Sequence, residues 1–514
     1  MLWLAVHLPA LSLESFAATL PPEAQARPLA LIDAHRITQV NARAAALGVK
    51  PGSKRATALA LAADLLLGQA DAARDAQALQ AVVHVALAFT PSVCVDASAG
   101  VPVVLLEVGP SLRCFGGFAK LLQRLQAALR PLAHRVQLAS APTALGAALL
   151  ARWRDDLVRG AHSTDRTALR RLLDEAPVWL LGPGREHWEA LQGMGLTRLA
   201  DLQHLPRSGL ARRFGPALLA DLDRARGDAP DPREPIEPPP RFDQRLELFA
   251  RADTAEQLLA GARVLLVRLL AWAAARQARV ARFALVAHPE SRRRGEAATP
   301  CMLEVALAEP SADLAHLQSL LAERLARWEL PAPTLDLSLH CDALVHAPAP
   351  NAELFPSRST EREGLVRLIE RLQARLGPQG VQRLVPVADH RPERAMAWVP
   401  ASAGASAPLA RPQRMGASLA QPEHMNAPLT RPLWLLEAPQ PLAERASRPC
   451  LDGAPLQLLA GPERIESGWW DGALAARDYF IACASDGALV WVFRARLPLS
   501  AADGGGWFLQ GRFG

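Results

Sequence analysis

The sequence predicts a multi-domain chain of α/β and α+β class, in which an α/β unit, a helical unit, a split-βαβ unit and a small β-rich module follow one another. Three observations predict it. The length of 514 residues is more than three times the roughly 150 residues of a common domain. The apolar period changes along the chain, from short apolar runs alternating with helical patterns, to helices alone, to alternating strands. Proline-rich stretches fall where the period changes.

LWLAV, LALID and VPVVLLEV, within residues 1–165, read as strands. Phe118 to Leu129 reads as an amphipathic helix, because Leu121, Leu122, Leu125 and Leu129 share one face. Residues 166–229 are helical and run into the linker PDPREPIEPPP (230–240). In residues 241–345, RLELF is a strand and 254–277 a helix. RVARFALVA and CMLEVAL are strands around the basic turn PESRRRGE. A helix over 311–328 carries Leu314, Leu317, Leu321, Leu325 and Trp328 in one stripe, and TLDLSLH is a strictly alternating strand. The order βαββαβ is a split-βαβ, ferredoxin-like sandwich.

HAPAPNAELFPSRS is a proline-bounded loop before one helix near 361–376. The Ala/Pro/Ser-rich tract 400–432 echoes itself too loosely for a solenoid and reads as a flexible tether. From 451 the pattern is β-rich and aromatic, with Ser485-Asp486-Gly487 as a hairpin turn. Trp469, Trp470, Trp491 and Trp507 are too many for a surface, which puts most of them in a core. DHRPERA (389–395) has the composition of a solvated, salt-bridged loop.

Apolar residues at 50%, charged residues at 21% and a mean hydropathy of +0.06 describe a chain that buries several cores. Arg263 and Arg268 interrupt its most apolar later stretch, Leu258 to Ala275, which argues against a membrane span. The N-terminal MLWLAVHLPALSLESF lacks a basic leader and carries Glu14, so it reads as a strand rather than a signal peptide. Six widely spaced cysteines without a C-x-x-C pair exclude a zinc ribbon or disulfide scaffold and fit a reducing cytoplasm. A net charge of +6 permits a polyanionic partner without demanding one. Only Lys50, Lys54 and Lys120 are lysines among the 57 basic residues, a bias expected of GC-rich coding.

LQGMGLTRLADL (191–202) sets Gly193 and Gly195 between two short helices, as in a helix-hairpin-helix motif. Such glycines let the backbone approach a phosphate, and amides at the next helix start point at the anion. Arg198 and the nearby Arg207, Arg212 and Arg213 would hold adjacent phosphates. The plain alternative is an αα-turn ended by glycine. GVKPGSKRAT (48–57) has G-S-K where a P-loop has G-K-S/T, and reads as a turn into a helix. Neither G-x-S-x-G nor H-E-x-x-H occurs.

In this order of parts the chain resembles the Y-family DNA polymerases over about residues 1–345. The resemblance implies a palm with inserted fingers at 1–165 (fingers about 26–84), a helical thumb at 166–229, a linker at 230–240 and a little finger at 241–345. It continues with a clamp-peptide loop and helix at 346–399, a flexible linker at 400–450 and a β-rich module at 451–514. GPERIESGWWDG, RDYF, WVFR, GWFLQGRF, DHRPERA, RPLWLL (431–436) and VNARAAALGVKPG (40–52) resemble the ImuB family of Y-family homologues.

Active polymerases of this type carry acidic residues as V-D-x-D-x-F on the first palm strand and D-E-x-x-L-D-V before the palm helix, and a Y-x-x-R grip in the fingers. Here His7 and Pro9, Pro102 and Val103, and Ala42 and Ala45 stand at those positions, and Glu107 matches only the downstream acid. The resemblance therefore implies no catalytic residues, no bound metal and no cofactor. It implies instead a cytoplasmic, nucleoid-associated adaptor for damage-induced (SOS) mutagenesis and translesion synthesis. Asn351-Ala352-Glu353-Leu354-Phe355 resembles the sliding-clamp peptide Q-L-[S/D]-L-F, with Asn351, Leu354 and Phe355 as its contacts. QRLELF (244–249) competes for that match and is better explained as a strand. The implied partners are primed or damaged DNA, the sliding clamp, the RecA-like ImuA and the error-prone C-family polymerase ImuC. The alternative is an active translesion polymerase with displaced ligands among Asp33, Asp96 and Glu107, which requires those carboxylates to converge.

Overall fold

β1 (Trp3–His7) is apolar on both of its faces, and the first part of the molecule is built around that property. The computed structural model describes residues 1–98, 100–289, 299–330, 332–346, 358–401, 431–432, 434–496 and 506–513, without the side chains of 358–363 and 378. It divides into two units, Met1–Arg375 and Leu376–Gly514.

From β1, α1 (Leu11–Ala17) and α2 (Pro22–Gln25) lead to β2 (Leu29–Asp33) and β3 (Arg36–Val40). α3 (Ala42–Ala46) and α4 (Arg55–Leu61) follow, then β4 (Leu66–Gln69), which completes a small sheet in the order β3-β2-β4. α5 (Ala72–Leu87) returns the chain to β5 (Val93–Asp96) and β6 (Val103–Glu107), followed by α6 (Leu112–Phe115), α7 (Phe118–Leu129), β7 (Gln137–Ala141) and α8 (Ala144–Trp153). The main sheet has the order β5-β6-β1-β7 and is antiparallel throughout. Successive strand residues face opposite sides. Leu4, Val6, Val104 and Leu106 join Val82 of α5 and Leu121 and Leu125 of α7 in one core. Ala5, Val103, Leu105 and Ala139 join α8 in another. Strands covered on both faces read as unbroken apolar runs, which is why LWLAV and PVVLLEV are so legible.

The second of those cores continues into the helices α9 (Arg166–Asp174), α10 (Gly182–Glu186), α11 (Trp188–Gly193), α12 (Arg207–Phe214) and α13 (Pro216–Arg226) through Leu169, Leu191, Leu210, Phe214 and Leu218. Pro216 opens α13 and Gly227, at φ +79°, closes it, the usual division of labour between these residues. Residues 230–240 form no regular element, yet they are bonded along their length. The Asp231 carboxylate accepts from Leu145 N at the start of α8 (3.0 Å), Ile236 N donates to Val93 O (2.8 Å), and Pro239 O accepts from Trp272 Nε1 (2.8 Å). The linker is a strap tied at one end to the palm and at the other to Trp272 of the part that follows.

β8 (Phe242–Ala252), α14 (Ala255–Ala275), β9 (Ala278–Pro289), β10 (Cys301–Ser311), α15 (Leu314–Leu325) and β11 (Thr334–His346) form the expected βαββαβ unit. Its antiparallel sheet has the order β10-β9-β11-β8. Each helix-linked pair of strands therefore runs in the same sense with one strand between, and the split βαβ occurs twice. α14 is long and apolar enough to cross a membrane by length and composition. Here it is a core helix, with Leu258, Leu265, Leu269 and Trp272 under the sheet and Ala271 in the core shared with α5. Arg268, buried on α14, donates to Gln77 (3.2 Å) and Gln244 (3.4 Å), and burial pulls its guanidinium down to about 10. α16 (Arg358–Leu376) ends this unit.

The second unit begins with a hairpin of β12 (Gln382–Pro386) and β13 (Met396–Pro400). A seven-stranded sheet follows, made of β14 (Trp434–Arg445), β15 (Arg448–Leu451), β16 (Ala454–Pro455), β17 (Gln457–Ser467), β18 (Ala475–Cys483), β19 (Leu489–Ala495) and β20 (Trp507–Arg512) in the order β16-β15-β14-β20-β19-β18-β17. Ser485-Asp486-Gly487 turns β18 into β19, with Gly487 at φ +85°. Three expectations are corrected here. β14 and most of β15 lie inside the 400–450 stretch expected as a flexible linker, while 402–430, most of the 400–432 tract read as a tether, lies outside the described residues. β14 is exposed along most of its length, so no buried alternation announced it. Trp491 and Trp507 are buried, but Trp469 (77% exposed) and Trp470 (55% exposed) stand on the turn between β17 and β18. DHRPERA is salt-bridged as expected, but Arg391 at its centre is 2% exposed rather than solvated.

Candidate functional site

Strand register brings the palm positions together. Asp96 of β5 pairs with Val103 of β6, Val103 with His7 of β1, and His7 with Gln137 of β7. These four share one row, and α8 runs beneath that face. Two-metal phosphoryl chemistry needs converging carboxylates. This row offers a methyl-bearing side chain at Val103 and an imidazole at His7, with Pro9 and Pro102 at its margin.

His7 is 7% exposed and its Nδ1 has no hydrogen-bond partner among the described residues. Burial, with the nearby charges of Arg152 and Arg185, lowers its pKa to about 4, so it is neutral at pH 7. Asp96, the one acid of the row, is 3% exposed and saturated. Arg152, from the last turn of α8, donates to its Oδ2 at 2.7 Å, Ser98 Oγ reaches the same oxygen at 3.0 Å, and Arg233 of the strap donates to Oδ1 at 3.1 Å. Burial alone would raise the Asp96 carboxyl, but the two guanidinium groups outweigh it and hold it below its usual range. Arg152 also donates to Val101 O at 3.1 Å and is thereby fixed to the approach to β6. Both oxygens of Asp96 are thus engaged, and with His7 and Val103 beside it the residues of this row do not fit a magnesium pair.

The carboxylates of the alternative reading do not converge. Glu107 lies at the far end of β6, opposite Trp3, about 13 Å from Val103 at about 3.3 Å per residue. Its Oε1 accepts from Leu2 N and Gly109 N, both at 3.3 Å. Asp33 ends β2 in the other sheet and is exposed. Among the described residues no group of three or more His, Cys, Asp and Glu could hold a metal ion. Ala42 and Ala45 are exposed on α3, which Asn41 caps by accepting from Ala44 N (2.8 Å). In 48–57, Gly52 at φ +86° makes the turn that leads into α4.

The thumb hairpin forms, with a difference. α11 ends at Gly193, Gly195 turns at φ +80°, and a Cβ on either glycine would meet nothing within 4 Å. The limb that follows is a 3-10 helix over Leu199–His204. Thr197 N and Arg198 N both donate to the Asp201 carboxylate, at 2.9 and 2.8 Å. Met194 N, Gly195 N and Leu196 N donate to carbonyls of α11. The amides expected to face a phosphate are therefore already satisfied by the chain itself. Asp201, three residues beyond Arg198, is the local signal for this, because an acid at that spacing reaches back as a cap. Arg198, Arg212 and Arg213 remain exposed, whereas Arg207 is bound to Asp223. Asn351, Leu354 and Phe355 lie outside the described residues.

In the second unit, Arg391 donates to Asp389 (2.6 Å), Asp471 (2.7 Å) and Ala473 O (2.9 Å). Its guanidinium lies 5.6 Å from the Trp470 ring, which meets Trp469 edge-on at 5.2 Å. DHRPERA and GWWDG, two separate stretches of sequence, are one structural feature.

Residues 12–152 match the impB/mucB/samB family. The chain is 30% identical over 499 residues to "Protein ImuB" of Caulobacter vibrioides (strain NA1000 / CB15N), covering 91% of this chain and 100% of that one. The protein of the same name from strain ATCC 19089 / CIP 103742 / CB 15 matches equally. Among solved structures, a Dbh ternary complex shares 17% identity at a TM-score of 0.37, covering 66% of this chain and 99% of that one. DinB from Sulfolobus solfataricus shares 17% identity at a TM-score of 0.35, covering 66% of this chain and 98% of that one.

Proposed function

The chain belongs to the ImuB family, and from that premise we propose that it is a non-catalytic adaptor in damage-induced mutagenesis and translesion synthesis. Its palm, fingers, thumb and little finger hold primed or damaged DNA without extending it. The peptide with Asn351, Leu354 and Phe355 tethers the assembly to the sliding clamp. The second unit brings in an ImuA-like accessory protein and an ImuC-like error-prone polymerase. Tethering of this kind raises effective concentration without new chemistry.

One observation carries the non-catalytic reading: Asp96, the single acid in the row of His7 and Val103, is saturated by Arg152 and Arg233. DNA contact is assigned to Arg198, Arg212 and Arg213, exposed on the thumb, with Gly193 and Gly195 leaving room for the backbone of the duplex.

Primer extension with the purified protein, Mg²⁺ or Mn²⁺ and all four nucleotides tests the reading. The expected result is binding of primed DNA with no extension above that of a polymerase-dead Y-family enzyme. Template-directed extension above that background overturns it. Replacing Leu354 and Phe355 by alanine is expected to abolish damage-induced mutagenesis at unchanged melting temperature. Unchanged mutagenesis removes the clamp assignment.

A further inference from the structure

α16 has two apolar faces, and only one of them is used. Val366, Glu370 and Ala374 are buried. Glu370 anchors that side by accepting from Ala308 N and pairing with His316 Nε2 at 2.9 Å. Leu365, Leu368, Leu372 and Leu376 are 57%, 51%, 38% and 57% exposed. Their spacing of three, four and four residues makes a single stripe along the helix, about 16 Å long at about 1.5 Å per residue. A solvent-facing helix surface takes Glu, Lys or Arg at no cost in propensity, so helix formation does not account for four leucines there.

Arg371 and Arg375 run along one edge of the stripe, both exposed and without an ion pair among the described residues. Arg327 donates to the Arg375 carbonyl and adds a third cation at the C-terminal end. The geometry points to a docking seam for an amphipathic helix of another protein, one whose apolar stripe is flanked by Asp or Glu. Anchors at i, i+3 and i+7 are how one helix reads another's face, and acidic flanks complement the arginines. A second copy of this chain fits less well, because two such seams would set arginine beside arginine. The seam needs neither DNA nor the clamp peptide, so it goes beyond the adaptor reading and can fail without it.

Fluorescence polarisation on the full chain tests the seam with a labelled synthetic three-heptad helix bearing Leu on its apolar face and Glu on both flanks. The comparison probe is the same helix with Lys flanks. The Glu-flanked helix is expected to bind saturably, and at least about tenfold more tightly than the Lys-flanked one. Leu368→Gln with Leu372→Gln is expected to weaken it about tenfold at unchanged melting temperature, since both side chains are exposed. Arg371→Glu with Arg375→Glu is expected to invert the preference. Absence of binding, equal binding of the two helices, or indifference to these substitutions overturns the proposal. So does a dimer of the chain that the leucine substitutions dissolve, which would make a second copy the occupant.

Discussion

Two clusters of arginine and aspartate, one buried in the palm and one built around a buried arginine in the second unit, are arranged in opposite senses. In the palm a carboxylate is central, with Asp96 gripped by Arg152 and Arg233. In the second unit a guanidinium is central, with Arg391 gripped by Asp389 and Asp471. The first leaves the Asp96 carboxylate with both oxygens engaged. The second props up a surface, because Asp471 and Ala473 belong to the turn that presents Trp469 and Trp470. The same pairing occupies a buried carboxylate in one region and supports an exposed aromatic turn in the other. What decides the outcome is the neighbour, a strand row in the palm and a tight aromatic turn in the module.

The largest expected effect breaks the palm cluster. Arg152→Ala leaves Asp96 buried with Arg233 as its one ion-pair partner, and the unfolding transition of the first unit should lose about 3 kcal/mol, the scale for stripping one partner from a buried pair. Arg152→Lys should recover little of it, since an ammonium does not reproduce the guanidinium fork. Denaturant unfolding with unchanged stability in Arg152→Ala would show that this cluster does not hold the strand ends. Arg391→Ala, the counterpart, should lower the transition of the second unit and alter tryptophan emission while leaving DNA binding untouched.

Acid should separate the two units next. Burial lowers both His7 and His84 to about 4, favouring their neutral forms. That contribution is complete above the ordinary histidine value of about 6.5 and is lost as pH falls from there towards 4. Hydrogen bonds from Arg391 pull Asp389 and Asp471 down to about 2. Their contribution is complete above the ordinary carboxylate value of about 4 and is lost only below it. Calorimetry at pH 5 should therefore find the first unit weakened and the second unaffected, and His84→Leu should reduce the weakening. A parallel decline of both units would contradict the assignment.

The smallest effect concerns DNA. Each of Arg198→Ala, Arg212→Ala and Arg213→Ala should weaken binding equally across sequences and reduce the salt slope by about 0.9. An unchanged slope would move the contact away from the thumb.

Much of the fold was legible because its signals are local. Leu121, Leu122, Leu125 and Leu129 mark the face of α7 that is in fact buried, and the alternation in TLDLSLH marks β11. At the candidate site the sequence shows that His7 and Val103 are not acids, but not what surrounds them. The replacement was not legible. Nothing local in ARWRDD says that Arg152 will cross to Asp96, 56 positions away. The strap hid for the same reason, because PDPREP has the composition of a free linker while its bonds are long-range. DHRPERA misled because charge density is read as solvation, whereas its partner Asp471 lies 80 positions on from Arg391. The thumb amides differ, since their acceptor Asp201 is local and its spacing from Arg198 is that of a capping acid.

The most direct test of a palm closed to metal is a Mn²⁺ titration of the full chain with primed DNA and an incoming nucleotide, followed by electron paramagnetic resonance. The expected result is no saturable Mn²⁺ at the palm, and none after His7→Asp with Val103→Glu so long as Arg152 is retained. Two bound Mn²⁺ ions per chain in the unaltered protein, displaced by Mg²⁺, would contradict it.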